Sequence, residues 1–405
     1  MSKIAIIGAG VSGLMVANLL MEKGYNVQIF EAQNYIGGRV KGGFLSDIPI
    51  DLGGQWLHQI ANKPNVLTQI LKEKKIVLVP DTKDEALVIG GNTCNNETPK
   101  IVQDFFEYIS TKQFDEDQSL AVTITNFSKD PFLKRYFEAY VNDMATSTST
   151  MSTKKFLEIN QSFVPYDYQL KDTTMSHFIK AYFNSSVIDV IRLNTPILEI
   201  NYTKNIVKLR SFDNELFEFD KCIISVPISQ LQQNKIIFSP SLPTCKIEAF
   251  NKIGMGKGIK VILFFKEELL LQTYFNGEYA PYYVSVAYNN SKQPAIITLL
   301  MGNYAEIYYK NPKETIKNIV KEIGFLSGKD SNSLLMDFIV QDWSREPYIE
   351  GTYSFALVGE ENAREIAKES IDNVLFFIGE AMNTNNVNGF IHGAIDTAVE
   401  LAERF

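Results

Sequence analysis

The sequence predicts an α/β (α+β, two-domain) protein. A Rossmann-type dinucleotide-binding domain is interleaved with a second domain of mixed sheet and helices. Three observations carry this. Lys3 to Ile7 is a short isoleucine-rich run, Gly8, Gly10 and Gly13 follow at G-x-G-x-x-G spacing, and Leu14 to Met21 repeats as an amphipathic helix. A second strand, Asn26 to Phe30, ends in Glu31, about 20 residues beyond the glycines. Strands of the buried parallel type recur far away, at Cys222 to Val226 and Val374 to Ile378, after a long helical stretch. A chain of 405 residues exceeds one ordinary domain. The expected division is 1–60, 187–268 and 336–405 for the nucleotide domain, and 61–186 and 269–335 for the other.

The first turn explains itself residue by residue. Gly8 allows the tight turn, Gly10 lets the backbone approach a pyrophosphate, and Gly13 lets the helix pack closely on the strand. Phosphate would sit on the free N–H groups at the helix start, with the Ser12 hydroxyl as a further donor. Glu31 is placed to meet ribose hydroxyls and to repel a 2′-phosphate, which disfavours NADP. Which dinucleotide binds stays open at this point.

Composition narrows the class. Hydrophobic residues at 45% and charged ones at 21% are enough for a full core. A formal net charge of −8 argues against a nucleic-acid partner and is compatible with cationic small molecules. Cys94, Cys222 and Cys245 are too scattered for a disulfide framework or zinc, and His58, His177 and His392 lack metal-ligand spacing, so no metal is expected. The first residues run straight into a strand with no signal peptide, and no apolar run would span a bilayer. The expectation is a cytoplasmic protein without a membrane partner; its oligomeric state is not readable.

In chain order, Gly37, Gly38 and Arg39 form a second glycine turn that brings a planar, bidentate cation to a pyrophosphate. Asp51 to Trp56, DLGGQW, supplies a third glycine pair, Gly53 and Gly54, where backbone can lie against a flat ring. Composition changes near Asn62. Two short strands are expected between Ile76 and Ile89 around a polar turn. Helices are expected at Pro99 to Ser110, Asp130 to Asp143, Thr153 to Ile159 and Thr174 to Phe183, with polar joints such as Ala145 to Ser152. Strand character returns with Ile197 to Tyr202, Ile206 to Arg210 and Leu216 to Phe219. In Asn251 to Phe265 a glycine turn leads into a strongly apolar strand that contains Lys260; burial there disfavours the ammonium. Later come strands at Glu278 to Tyr288 and Ala295 to Met301, a helix at Pro312 to Phe325, and a strand ending at Trp343. Gly389-Phe390-Ile391-His392-Gly393 opens the last helix, another free helix N-terminus.

GAGVSG, FEAQNYIGGR, DLGGQW, LNTPILEI, CIISVP, FSPSLP, GMGKGIKV, WSREPYIEGTYS and FIGEAMN…GFIHGA stand in one order along nearly the whole chain. This ordered set resembles the flavin-containing amine oxidases, the family of monoamine and polyamine oxidases. The resemblance implies FAD in an extended pose. Gly8, Gly10, Ser12, Gly13, Gly38 and Arg39 would serve its phosphates and Glu31 its ribose, and the Ile197 backbone would meet adenine. Gly53, Gly54, Gln55, Trp56 and Trp343 would line the flavin, Glu380 would lie near the ribityl chain, and Phe390 and Ile391 would approach the pyrimidine side. Lys260 matches the family's lysine that meets flavin N5 through a water, and Tyr353 and Phe390 match the residues facing each other before the ring.

The implied activity is oxidation of an amine C–N bond to an imine, with O2 reduced to H2O2 and the imine hydrolysed to an aldehyde or ketone. Lys260, Tyr353 and Phe390 are the implied catalytic residues. The partners would be a small-molecule amine and O2. Tyr353 with Phe390 resembles the aromatic cage of monoamine oxidases, whereas Trp56-Leu57-His58 resembles polyamine oxidases. Thr352 stands where monoamine oxidases carry the flavin-linking cysteine, so FAD is expected to be non-covalent. The inserted helical hairpin of histone demethylases has no counterpart, and a chromatin role is not expected. The alternatives are an L-amino-acid oxidase, with Arg135 or Arg192 binding the carboxylate, or a flavin-binding protein without turnover.

Overall fold

The isoleucine-rich first strand lies at the centre of a parallel sheet. In the computed structural model, which describes residues 2–60, 66–81, 85–89, 92–94, 98–288 and 292–405, its neighbours come from distant parts of the chain. The order is Ile191–Arg192, Asn26–Phe30, Lys3–Ile7, Lys221–Ile224, Leu375–Phe377, with every pair parallel. Such a sheet is covered on both faces, so its strands read as continuous apolar runs. Ile4 and Ile6 face helices Val11–Glu22 and Ile391–Ala402, while Ala5 and Ile7 face a layer containing Ile200 and Leu209. That layer is the sheet Leu216–Phe219, Val207–Ser211, Ile197–Tyr202, Ile237–Ser239. Lys3–Ile7 has its sequence neighbour on one side and the returning strand Lys221–Ile224 on the other. The crevice at its carboxyl end is therefore a switch point, where ligands bind in open α/β sheets.

The larger sheet runs Leu335–Asp342, Gly258–Phe265, Gln293–Met301, Tyr282–Tyr288, Thr273–Phe275, Glu85–Ile89, Asn92–Cys94. Gly258–Phe265 is buried at all eight positions and pairs antiparallel on both edges. Expected among the nucleotide segments, this strand has its backbone ladder with Gln293–Met301 and Leu335–Asp342 of the large sheet. Period-two alternation separates its faces. Ile259, Val261, Leu263 and Phe265 pack toward helix Pro312–Ser327. Ile262 and Phe264 pack on Ile50 and Leu45 of the hairpin Gly42–Leu45/Ile48–Asp51. Lys260 falls on this second face.

Four helices, Lys100–Thr111, Leu120–Phe127, Pro131–Asn142 and Thr153–Ser162, enclose a separate core around Phe105, Phe137 and Phe156. Leu120–Phe127 was not expected, because its β-branched residues obscure a helical period. Its signal is Ser119, whose hydroxyl caps the Val122 N–H. Strand Phe163–Leu170 was also missed within the helical stretch. It pairs with Leu57–Ile60 and Leu78–Asp81. The two strands expected between Ile76 and Ile89 are present but join different sheets. The polar turn between them, at 82–84, and the composition change at Asn62 lie outside the described residues. Among the described residues no helix is long and apolar enough to cross a membrane.

Candidate active site

A cavity of about 990 Å3 extends from the first glycine turn to the helical core. At its first end the walls are backbone. Gly8 has φ +105°, and a Cβ on Gly13 would lie 2.1 Å from the Gly8 carbonyl oxygen, so only glycine fits there. A Cβ on Gly10 would meet nothing within 4 Å, because that position opens into the cavity. The second glycine turn is joined to the first: Gly37 N–H donates to Ala9 O at 2.8 Å, and a Cβ on Gly38 would lie 3.3 Å from Gly10 Cα. Glu31 ties the first turn to the end of the second strand, accepting Ala9 N–H at 2.6 Å and Gln33 N–H at 2.8 Å. Burial raises its pKa, and those backbone bonds partly offset the rise. At Ile197 the ladder with Ser211 breaks register, which leaves the backbone at Leu198 out of the pairing.

Arg39 donates from Nη1 to Glu380 Oε1 at 2.6 Å and to Thr352 O at 3.0 Å. Glu380 also accepts from Ser354 Oγ at 2.6 Å and Gly389 N–H at 2.7 Å. Burial alone would raise the Glu380 pKa, but the Arg39 charge and these donors hold it below the usual value. The pair joins the second glycine turn to the segments that carry Tyr353 and Phe390.

The DLGGQW glycines are crowded mainly by protein. A Cβ on Gly53 would lie 1.9 Å from Arg39 O and 2.9 Å from the Trp343 ring, and one on Gly54 would lie 3.0 Å from Ile391. Trp343 Nε1 donates to Leu52 O at 3.1 Å. Beneath this loop Lys260, 3% exposed, donates to Asp51 O at 2.7 Å, Gln55 Oε1 at 2.9 Å and Gly53 O at 3.0 Å. Three acceptors match the three protons of an ammonium. Burial lowers the Lys260 pKa to about 8, with Asp51 opposing. The Asp51 carboxylate caps helix Met175–Tyr182 through the Met175 and Ser176 N–H groups.

The far end is aromatic and acidic. Tyr353 O–H donates to the Asp143 backbone oxygen at 2.5 Å, and a Cβ on Gly389 would touch the Tyr353 ring at 3.2 Å. Phe390 precedes helix Ile391–Ala402, with its ring 4.6 Å from His58 and stacked on His392 at 5.3 Å. His58 Nδ1 lies 2.9 Å from Asp167 Oδ1. Burial pulls the His58 pKa down, but Asp167 and Asp143 outweigh it and the net shift is upward. Burial raises the Asp143 carboxyl, with His58 opposing.

Sequence reasoning missed Asp143, Asp167 and Tyr282. Asp143 reads as a helix end, and Asp167 lies in an unexpected strand. The two arginines considered for a substrate carboxylate are engaged outside the cavity. Arg135 donates to Gly277 O at 2.9 Å, and Arg192 pairs with Glu215 at 2.5 Å. All of the residues expected at the site from the glycine turns to Ile391 line this one cavity except Gly13, which packs behind it. Among the described residues no group of His, Cys, Asp and Glu could hold a metal.

The first end fits an extended dinucleotide. It offers a free helix start, an open Gly10, and two buried polar atoms without a partner, Gln230 Nε2 and Thr352 Oγ1, on residues that line the cavity.

Comparison with known proteins adds to this geometry. The family model for flavin containing amine oxidoreductases matches residues 167–404, and that for an NAD(P)-binding Rossmann-like domain matches 6–73. Polyamine oxidase 2 of Arabidopsis thaliana is 25% identical across 99% of this chain and 87% of its own length. Lysine-specific histone demethylase 1B of Mus musculus is 23% identical across 94% of this chain and 50% of its own. Among solved structures, putrescine oxidase bound to putrescine superposes with a TM-score of 0.86 at 15% identity, covering 100% of this chain and 98% of that one. Cyclohexylamine oxidase from Brevibacterium oxydans superposes with a TM-score of 0.84 at 16% identity, covering 100% and 99%.

Proposed function

Since this chain belongs to the flavin containing amine oxidoreductases, we propose that its cavity holds FAD without a covalent link and oxidises an amine between Tyr353 and Phe390. The enzyme is an oxidoreductase that converts an amine C–N bond to an imine. FAD held there would supply the redox chemistry, a two-electron oxidation of the amine with O2 as the final acceptor and H2O2 as its product. Water then adds across the C=N bond and releases an aldehyde or ketone with the amine fragment.

The chain's own residues bind, orient and desolvate. Gly10, Ser12 and Arg39 hold the pyrophosphate, with Gly13 setting the turn from behind; Glu31 meets the ribose hydroxyls, and the backbone at Ile197 the adenine. Gly53, Gly54, Gln55, Trp56 and Trp343 shape the slot for the ring, and Lys260 fixes that slot from below. Tyr353 and Phe390 exclude water from the reacting nitrogen, which must be neutral to release hydride. The helix start at Ile391 stabilises negative charge beside it. Residues 1–60, 187–268 and 336–405 carry the cofactor, apart from the two strands hydrogen-bonded into the large sheet; 61–186 and 269–335 shape the substrate end. Free Cys222 and Cys245 fit a reducing, cytoplasmic setting.

The observation that carries this reading is the single cavity joining the glycine turns, Lys260 and the Tyr353–Phe390 wall. A peroxide assay of the purified yellow protein against mono-, di- and polyamines and amino acids tests it. Turnover of an amino acid with no amine oxidised would replace it with the amino-acid oxidase reading. Thr352 at the linking position predicts that acid precipitation leaves the flavin in the supernatant; flavin in the pellet would refute a non-covalent cofactor.

A further inference from the structure

One buried ion pair has no part in the mechanism above. Glu360 and Arg364, 3% and 5% exposed, sit behind the cavity and line none of it. They stand four residues apart at the start of helix Ala363–Lys368, and the guanidinium turns two edges to two neighbours. Arg364 Nε and Nη2 donate to the Glu360 carboxylate at 2.6 and 3.4 Å. Its Nη1 donates to Ser354 Oγ and to Ala381 O, each at 2.9 Å. Such a pair is a weak source of stability, since leaving water costs about what the attraction returns. What a planar guanidinium supplies here is direction.

A guanidinium has no acceptor, so Ser354 Oγ must accept from it and spend its single proton elsewhere. That proton goes to Glu380 Oε2 at 2.6 Å. Glu380 also accepts Ser354 N–H at 3.2 Å and Gly389 N–H at 2.7 Å. One carboxylate thus holds the residue after Tyr353 and the residue before Phe390. Asn388 Nδ2 adds a second tie, to Ser354 O at 3.1 Å. Gly389 itself lies against the Tyr353 ring, where a Cβ would come within 3.2 Å. We propose that Arg364, held by Glu360, is a positioning residue for oxidation of the amine. Through Ser354 it orients Glu380, and through Glu380 it fixes the gap between Tyr353 and Phe390 in which the amine lies. Arg364 touches neither substrate nor cofactor in this account. The proposal rests on the amine-oxidase reading and adds to it the group that sets the gap from behind.

The test uses holoenzyme and follows flavin bleaching without O2 by putrescine, spermidine, benzylamine and n-pentylamine, taking forward the amine that wild type oxidises fastest. Arg364→Lys keeps a charge beside Glu360 but cannot serve Glu360, Ser354 and Ala381 from one plane. Its limiting rate of flavin reduction is expected to fall about 30-fold, with the amine Kd within about threefold of wild type. FAD content and the rate at which reduced flavin reacts with O2 should stay within about twofold. Ser354→Ala should show the same loss. The double variant should be no slower than either single one, because both changes break one chain of bonds. An unchanged reduction rate in Arg364→Lys overturns the proposal, as do losses that multiply in the double variant or an equal loss in the O2 half-reaction. If Arg364→Lys does not hold flavin, Ser354→Ala decides alone, and reduction at the wild-type rate in that variant overturns the proposal. If no amine bleaches wild type, the amine-oxidase reading fails and the proposal with it; if wild type bleaches and both variants match it, only the positioning role fails.

Discussion

The two ends of the cavity are built from different materials. The cofactor end is backbone, with glycine turns stitched together by main-chain bonds and braced by Glu31, Arg39, Glu380 and Lys260. The substrate end is side chain: Tyr353, Phe390, His58, Asp143, Asp167 and Tyr282, delivered by six separate segments. At Gly13 and Gly53 a Cβ has nowhere to go, so those backbone walls tolerate no larger residue. Side-chain walls can be altered singly and retune what binds. Filling a glycine turn at the first end should abolish cofactor binding, removing one of its bracing side chains should cost rate or stability with the cofactor kept, and damage at the second end should change rates and preferences.

The largest expected effect is at Gly13. Gly13→Val drives side-chain atoms into the Gly8 carbonyl, so the protein should purify colourless, as read by flavin absorbance against protein. A yellow Gly13→Val protein would break the contrast. Next is Lys260→Met, which removes three hydrogen bonds under the flavin slot. Turnover should fall by about 100-fold with FAD retained, with the larger loss in the O2 half-reaction seen by stopped flow. The Lys260 pKa is lowered to about 8, so its ammonium persists below that value and is lost as pH rises through it. The wild-type rate should therefore change across that pH, and the Met variant should not. Matching half-reactions in the two proteins would leave Lys260 a purely structural lysine.

Glu380→Gln comes third. It strands Arg39 and should cost about 3 kcal/mol in denaturant unfolding near neutral pH. The Glu380 pKa is lowered, so its contribution is present above the unfolded value of 4.5 and lost as pH falls through the lower folded value. The gap between wild type and variant should close in acid. Smallest is Tyr353→Phe, which removes one bond to the Asp143 carbonyl. It should cost about 1 kcal/mol, a few-fold in KM for the amine, with colour unchanged.

The same contrast explains what could be read from sequence. Gly8, Gly10 and Gly13 are dictated by local sterics, so their spacing carries the turn, and Lys260 stands out because charge in an apolar strand is anomalous. Asp143 has no such mark. Its position depends on how a helix end packs beside Tyr282, 139 residues away, and on the side chain of Tyr353. The partner of Arg39 was hidden for the same reason: Glu380 lies 341 residues along the chain. The sheet partners of Gly258–Phe265 were likewise invisible, since an apolar run states that it is buried but not which strands flank it.

The parallel sheet has a consequence for how the protein is made. Its strands begin at Lys3 and end at Phe377, so the last position in the sheet is filled only when nearly the whole chain has left the ribosome. Until then Lys221–Ile224 lacks its outer neighbour, and the first strands wait with an apolar edge unpaired. Pairings this distant in sequence form slowly. The glycine turn, complete in the first thirteen residues as sequence, becomes a binding site only near the end of synthesis, and a nascent fragment carrying it should depend on chaperones for solubility.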